Sequence, residues 1–232
     1  MGAPAPKPIP SFSPLEPIFV DHPDSIPPAF REQFLHSPDY PYGIILEGQM
    51  HHVWRRPGWL QPLFRALGKI GVLVPEFGRD LPTTLKVEPG RYADGRPFHV
   101  WNRTFQFPGR GEYRFKTTIV YDPALDQVVD LLGPDDRLYM VWRARYTRPN
   151  IFTLDTAACG LRLGGQARWM PRWLWPWMLG VVRFVQRADP AQPDLMHIEL
   201  IISHPLLGDF FGYTGSFRVR RISPSAEAVR VA

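Results

Sequence analysis

Phe98-His99-Val100-Trp101-Asn102-Arg103-Thr104-Phe105-Gln106-Phe107 alternates strictly, and this alternation decides the fold. Successive side chains of a strand point to opposite faces, so Trp101, Arg103, Phe105 and Phe107 share one face of an extended segment. The next segment alternates as sharply. It sets Tyr113, Phe115, Thr117, Ile119 and Tyr121 against Glu112, Arg114, Lys116 and Thr118. Between the two, Pro108-Gly109-Arg110-Gly111 is turn chemistry, so the segments are expected to pair as an antiparallel hairpin.

Outward from this hairpin the period of two recurs. Strands are expected at 83–88, 97–107, 112–121, 125–131, 137–147, 150–162, 179–187, 194–203 and 209–221, with Tyr42–Trp54 a further candidate. Asp122–Leu125 and Gly133-Pro134-Asp135-Asp136 are further turn-forming links. Ahead of residue 83 the period is 3.6. Asp24-Ser25 before Pro27-Pro28 signals a helix start, with Phe30 and Phe34 one turn apart. A second helix is expected where Trp59, Leu60, Leu63, Phe64, Leu67 and Ile70 form an apolar stripe, with Gly68 and Gly71 marking its end. The expected class is α+β, mainly antiparallel β: a strongly curved sheet or open barrel of seven to nine strands, with two N-terminal helices covering or plugging it. Residues 1–24 read as a proline-rich mobile arm, 25–222 as a single β-rich domain and 223–232 as a C-terminal tail.

Composition narrows the classes. Of 232 residues, 44% are hydrophobic and 21% charged, enough apolar content for a sizeable core. Aromatics reach 13%, eight of them tryptophan, which suits sheet surfaces, hydrophobic pockets and membrane interfaces alike. The net charge of +5 favours anionic partners. No run of five or more Lys and Arg residues occurs, so no nucleic-acid partner is expected. Cys159 is the lone cysteine, which excludes an intrachain disulfide. The start lacks a signal-peptide core and a myristoylation pattern, and no stretch is long and apolar enough to span a bilayer. The expectation is a cytoplasmic protein, with peripheral membrane contact as an open alternative. Oligomeric state is not readable.

Arg103 is the sharpest pointer to a site. A guanidinium cannot deprotonate its way out of burial, so within an aromatic row it needs a carboxylate, a carbonyl cluster or an anionic ligand. Glu47, Asp130 and Glu199 are candidate protein partners. Trp169-Met170-Pro171-Arg172-Trp173-Leu174-Trp175-Pro176-Trp177 holds half of the tryptophans. It reads as a connection folded over the barrel mouth with its indoles filling core, as a lid over a cavity, or as a membrane-interface contact. The two prolines exclude a long amphipathic helix there. His204, before Pro205, and Tyr213, between glycines, belong to a shaped hairpin at a strand end. Adjacent His51 and His52 point apart if extended, and no histidine shows ligand spacing, so no metal is expected. No phosphate loop, dinucleotide fingerprint or nucleophile elbow is present, and no cofactor is expected. Cys159 reads as an inert buried thiol.

Trp101-x-Arg103-x-Phe105, Leu132-Gly133-Pro134, the segment from Pro171 to Pro176, and Pro205-Leu206-Leu207-Gly208 followed by Tyr213-x-Gly215 occur in an order and spacing of their own. Together they resemble the uncharacterised bacterial domain-of-unknown-function family numbered 4166. The resemblance runs from about Gly43 to Arg220 and leaves out the proline-rich arm. It implies the extent of a domain and carries no activity or catalytic residue.

The leading functional expectation is a non-catalytic binder of a hydrophobic or amphipathic anionic small molecule or lipid. Arg103 would grip the headgroup; Trp101, Phe105, Tyr113 and Phe115 would line the cavity, with His204 and Tyr213 contributing polar contacts. Trp169, Trp173, Trp175 and Trp177 would form the lid or membrane contact. The alternative is a cofactor-independent isomerase, cyclase or hydrolase on the same scaffold, with His204, Tyr213 and Asp155 as acid–base candidates. It requires two titratable groups to converge in one pocket.

Overall fold

In the computed structural model, residues 12–56, 58–69, 71–147, 149–163 and 166–223 are described. The alternating segments become eleven strands: β1 (Gly43–Arg55), β2 (Gly78–Arg91), β3 (Pro97–Phe107), β4 (Gly111–Asp122), β5 (Gln127–Leu132), β6 (Leu138–Thr147), β7 (Ile151–Leu163), β8 (Gln166–Trp169), β9 (Val181–Ala188), β10 (Leu195–His204) and β11 (Gly208–Ile222). Three short helices accompany them: α1 (Pro28–Phe34), α2 (Gln61–Lys69) and α3 (Trp175–Leu179).

Chain neighbours pair as antiparallel hairpins, and two further pairings make the sheet a barrel. β1 pairs with β11, and β7 pairs with both β6 and β9. Ten strands therefore close, with β8 as an extra strand on β7. The second edge of β7 is divided: Ile151–Asp155 binds β9, and Gly160–Leu163 binds β8. The expected count of seven to nine strands is corrected to eleven, in a closed barrel. Two local features hid the difference. β8 has four residues, too few to establish a period, and a bulge at His51 breaks the alternation of β1. The hairpin turn between β3 and β4 is as expected, with Gly109 and Gly111 at φ +71° and +82°, where side chains are rarely tolerated.

The expected helices at 28 and 61 are present, and α3 adds a third within the tryptophan-rich connection. Pro176 falls in its first turn, where no amide partner is needed. In the second helix the stripe is only partly realised. Leu60 and Phe64 are buried, whereas Trp59 is exposed. A 3-10 turn over Gly58–Leu60 precedes α2, and its three-residue period rotates Trp59 off the buried face. Ile70 and the Leu63 side chain lie outside the described residues. Gly71 ends the helix at φ +65°, and the Val72 amide donates to the Leu67 carbonyl.

Each barrel end is filled differently. At one end α1 and the segment before it insert aromatic rings. Phe34 packs 4.3 Å from Phe152 and 6.1 Å from Trp101, and Phe19 lies 5.1 Å from Tyr146, centroid to centroid. The backbone of this plug is satisfied by the barrel: Tyr146 donates to the Ser25 carbonyl at 2.7 Å, and His99 Nε2 donates to the His36 carbonyl at 2.7 Å. Gln186 donates to Gln33 across the seam at 2.6 Å. Residues 12–24 were expected in a mobile arm. They form part of this plug instead, with Leu15 and Phe19 buried in the core and the Ser13 hydroxyl bonded to the Phe34 carbonyl. The buried apolar face within 12–24 is carried by Leu15 and Phe19, which the surrounding prolines mask in the sequence. The rest of the expected arm, 1–11, and the tail from 224 lie outside the described residues. The opposite end is closed by α2 and the segment 71–77, which place Phe64, Leu73 and Val74 in the same core.

Phe34 is fully buried at the meeting point of α1, β3 and β7. Phe34→Ala is expected to cost about 3–5 kcal/mol, the range for removing a buried phenyl ring. Urea unfolding followed by tryptophan fluorescence measures it. An unchanged midpoint would mean that α1 does not hold the barrel closed.

Candidate functional site: the interior cavity

β3 carries Arg103 into the barrel between Trp101 and Phe105, opposite Leu85 of β2 and Phe115 of β4. Its guanidinium donates from Nη1 to the Thr117 hydroxyl at 3.2 Å. It lies 5.2 Å from the Trp101 ring and 5.3 Å from the Phe115 ring, so two aromatic faces offset part of its desolvation. Two adjoining interior cavities, of about 90 and 30 Å³, share Trp101, Arg103, Phe184 and Tyr213 as lining. Arg103 stands between them. Phe105 and Phe115 line the larger one, and Val72, Leu73 and Val74 close it on the α2 side.

Of the three carboxylates considered for Arg103, one is inside. Glu47 pairs with Arg220 at 3.2 Å and Glu199 with Arg187 at 3.7 Å, both on the outer face. Asp130 shares the larger cavity with Arg103 and is 6% exposed. The two sense each other's charge without a direct ion pair, and Asp130 Oδ1 has no hydrogen-bond partner. Burial pushes the Asp130 carboxyl up to about 7; the nearby Arg103 charge opposes this, as do the neighbouring Thr117 and Trp142 side chains. Trp101 Nε1 and Trp142 Nε1 are buried without acceptors. The cavity wall thus offers spare donors on Arg103 and the Trp101 indole, together with an unmatched carboxyl oxygen. Tyr213, on β11, is buried in the same wall. Its hydroxyl is held above the usual tyrosine range by burial, with Arg103 opposing and Asp130 reinforcing the shift.

Five of the expected ligand-binding residues therefore converge: Trp101, Arg103, Phe105, Phe115 and Tyr213. Tyr113 and His204 do not line these cavities. The Tyr113 hydroxyl donates to the Gly68 carbonyl at 2.9 Å and lies 3.0 Å from that of Leu73, clamping the end of α2; burial pushes it up to about 12. His204 Nε2 donates to the Trp177 carbonyl at 2.9 Å, and the Leu206 amide donates to its Nδ1 at 3.1 Å. That pair of contacts assigns the tautomer and ties α3 to the β10–β11 turn. Asp155 lies on the outer face, bonded to Arg145. Cys159 is buried, and burial pushes its thiol up to about 12.

The tryptophan-rich connection is turned mostly outward. Trp175 is buried, while Trp169, Trp173 and Trp177 are exposed. Of the readings set out for this segment, indoles filling the core hold for Trp175 alone. A second polar cluster lies on the outer face, where Ser216 meets His197 Nδ1 at 2.9 Å and His51 Nε2 at 2.8 Å, and His197 Nε2 meets Asp189 at 3.3 Å. Asp189 also accepts the Ala191 and Gln192 amides, so this exposed network organises the β9–β10 turn.

Sequence reasoning named Asp130 only as a partner for Arg103 and missed Trp142. A signal existed for the first. Asp130 is the one acid in Val128-Val129-Asp130-Leu131-Leu132, and alternation sets it on the face of Val128 and Leu132.

The raised Asp130 value carries a sign for stability. Between the ordinary 3.8 and about 7 the folded protein keeps a proton that the unfolded chain releases, so stability falls as pH rises through that window. At about 1.4 kcal/mol per pKa unit, the loss is on the order of 4 kcal/mol. Asp130→Asn is expected to remove this slope. Thermal melts of both proteins on either side of the window test it; parallel pH profiles would show that Asp130 is not buried as an acid.

The sequence profile of the family described as "Domain of unknown function (DUF4166)" matches residues 26–217, from just ahead of α1 into β11. The match thus takes in the α1 plug, which the motif-based resemblance left out. "Uncharacterized protein YndH" of Bacillus subtilis (strain 168) is 26% identical over 160 residues, covering 67% of this chain and 75% of the relative. With the family profile running from α1 through all but the end of the last barrel strand, the chain belongs to the DUF4166 family.

Proposed function

We propose that the barrel binds a small hydrophobic or amphipathic anion, with its charged group at Arg103 and its apolar part among Trp101, Phe105, Phe115 and Tyr213. One observation carries this reading: Arg103 stands between two interior cavities with a single hydrogen bond, beside buried polar atoms that have no partners. A carboxylate-like group at the guanidinium would accept from it and from a cavity indole. Asp130 in its protonated form would donate to the same group. Ligand sites of this type are mostly apolar with a few placed polar groups.

The size of the void limits the ligand. An apolar cavity of about 150 Å³ takes a benzene ring. Voids of about 90 and 30 Å³, both smaller than that, therefore suit a headgroup with a chain of a few carbons. A longer tail requires displacement of the 72–74 segment, which closes the larger cavity.

An enzymatic reading on the same scaffold is supported at one point. Of Asp155, His204 and Tyr213, only Tyr213 faces the cavity, but Asp130 joins it there as a carboxyl titrating at about 7. That pair is the convergence an isomerase or hydrolase would need, and chemical change of a bound ligand on incubation would favour it.

Native mass spectrometry of freshly purified protein, followed by calorimetry with butanoate, tests the binding reading. A bound organic anion, or butanoate affinity that falls about 10- to 100-fold in Arg103→Met, is expected, since a charge-assisted hydrogen bond is worth roughly 1.5–3 kcal/mol. Affinity is also expected to weaken as pH rises through about 7, because ionised Asp130 repels the ligand. No co-purified ligand together with no butanoate binding would overturn the proposal.

A further inference from the structure

The described exposed apolar side chains are unevenly distributed over the barrel. Val20, Tyr40 and Leu125 aside, every large one lies on the half that carries α2 and α3. Trp59, Trp173 and Leu206 are the extremes, at 70%, 69% and 74% exposed, and Phe77, Trp177 and Met178 accompany them. They form one surface, because the elements beneath them are linked. Trp177 packs edge-on against His204, His204 against Phe210, and Phe210 against Phe64 of α2, while Arg55 lies over both Phe64 and Phe77.

Charge follows the same division. Around this end Glu76, Glu112 and Asp135 are taken up by Arg110, Arg114 and Arg137. Arg56, Arg65, Lys69, Arg168 and Arg172 make no ion pair with a described carboxylate, and they outweigh Asp80, Asp136 and Asp209. Tryptophan and leucine at the tip, with arginine and lysine around them, match the two layers of a lipid surface. Indoles favour the headgroup boundary, and cations favour anionic headgroups. A protein partner would be expected to meet a flatter apolar patch with its charges matched pair by pair. Here the apolar groups are separate protrusions on three loops, which suits a fluid, deformable surface.

We propose that the α2/α3 end of the barrel docks on an anionic lipid surface, inserting Trp173, Leu206 and Trp59 while the surrounding cations contact headgroups. The docked end is the one where Val72–Val74 close the larger cavity, so a ligand arriving from the bilayer would meet the cavity cap first. Docking does not depend on the cavity holding a ligand, and the two proposals fail separately.

The test is co-sedimentation of the full chain with phosphatidylcholine vesicles with and without phosphatidylserine, with tryptophan emission recorded in parallel. Sedimentation with phosphatidylserine vesicles, a blue shift, and loss of both at high salt are expected. Trp173→Ser with Leu206→Ser is expected to lower partitioning at least tenfold at an unchanged melting temperature, since both side chains are exposed. Arg168→Gln with Arg172→Gln is expected to reduce the dependence on phosphatidylserine. No sedimentation, sedimentation without a blue shift, or binding unaltered by the Ser variants would overturn the proposal. So would self-association of the protein through this face without vesicle binding.

Discussion

Closing ten antiparallel strands creates an interior that the inward side chains alone do not fill. Barrels of about eight strands are just wide enough for their own side chains to pack solid, and wider ones enclose space. Everything else in this protein follows from how that space is occupied. The segment from Phe12 to Phe34 fills one end with phenyl rings, α2 and its continuation fill the other, and a void remains between the two plugs. The β1–β11 and β6–β7 pairings that close the sheet are thus also what brings β3, β5 and β11 to face one another.

Electrostatics in the remaining void is asymmetric. Arginine stays charged in any protein environment, whereas a buried carboxyl can take up a proton. Arg103 is therefore the permanent charge of the layer and Asp130 the adjustable one, pushed up to about 7 by burial. Were the two in direct contact, each would satisfy the other and the interior would read as a structural ion pair. They instead line the same cavity without a direct ion pair, with Asp130 Oδ1 unmatched. Cation–π contacts with Trp101 and Phe115 support the guanidinium without consuming its hydrogen-bond donors.

The two ends differ in the same physical terms. At the α1 end, side chains of the barrel meet the plug's polar groups through Tyr146, His99, Gln186 and the Arg221–Glu32 pair, while both His36 ring nitrogens, His99 Nδ1 and Gln186 Oε1 stay buried without partners among the described residues. At the α2/α3 end, apolar packing is joined by Tyr113 and Arg55 hydrogen bonds to the Gly68, Leu73 and Pro75 carbonyls, and the surface carries protruding indoles and unmatched cations. One end plugged by rings with polar contacts to the barrel, and another whose surface is apolar and basic, give the barrel a polarity along its axis. No described helix is long and apolar enough to cross a membrane.

The period of two in the segment from Phe98 to Phe107, and its repetition along the chain, determined antiparallel strands, most of their bounds and the inward face of each. That information is local: which side of a strand a residue occupies depends on parity alone. Arg103 as an anomaly among aromatics was legible for the same reason. Tertiary structure decided what parity cannot encode. Whether the sheet closes depends on pairing between β1 and β11, some 160 residues apart in the chain. Closure alone places Asp130 and Tyr213 around Arg103 and leaves Tyr113 and His204 as clamps for α2 and α3. The tryptophans of 169–177 likewise carry the same hydrophobicity whether buried or exposed. Only the seat of α3 on the barrel rim turned Trp175 inward and the other three toward solvent.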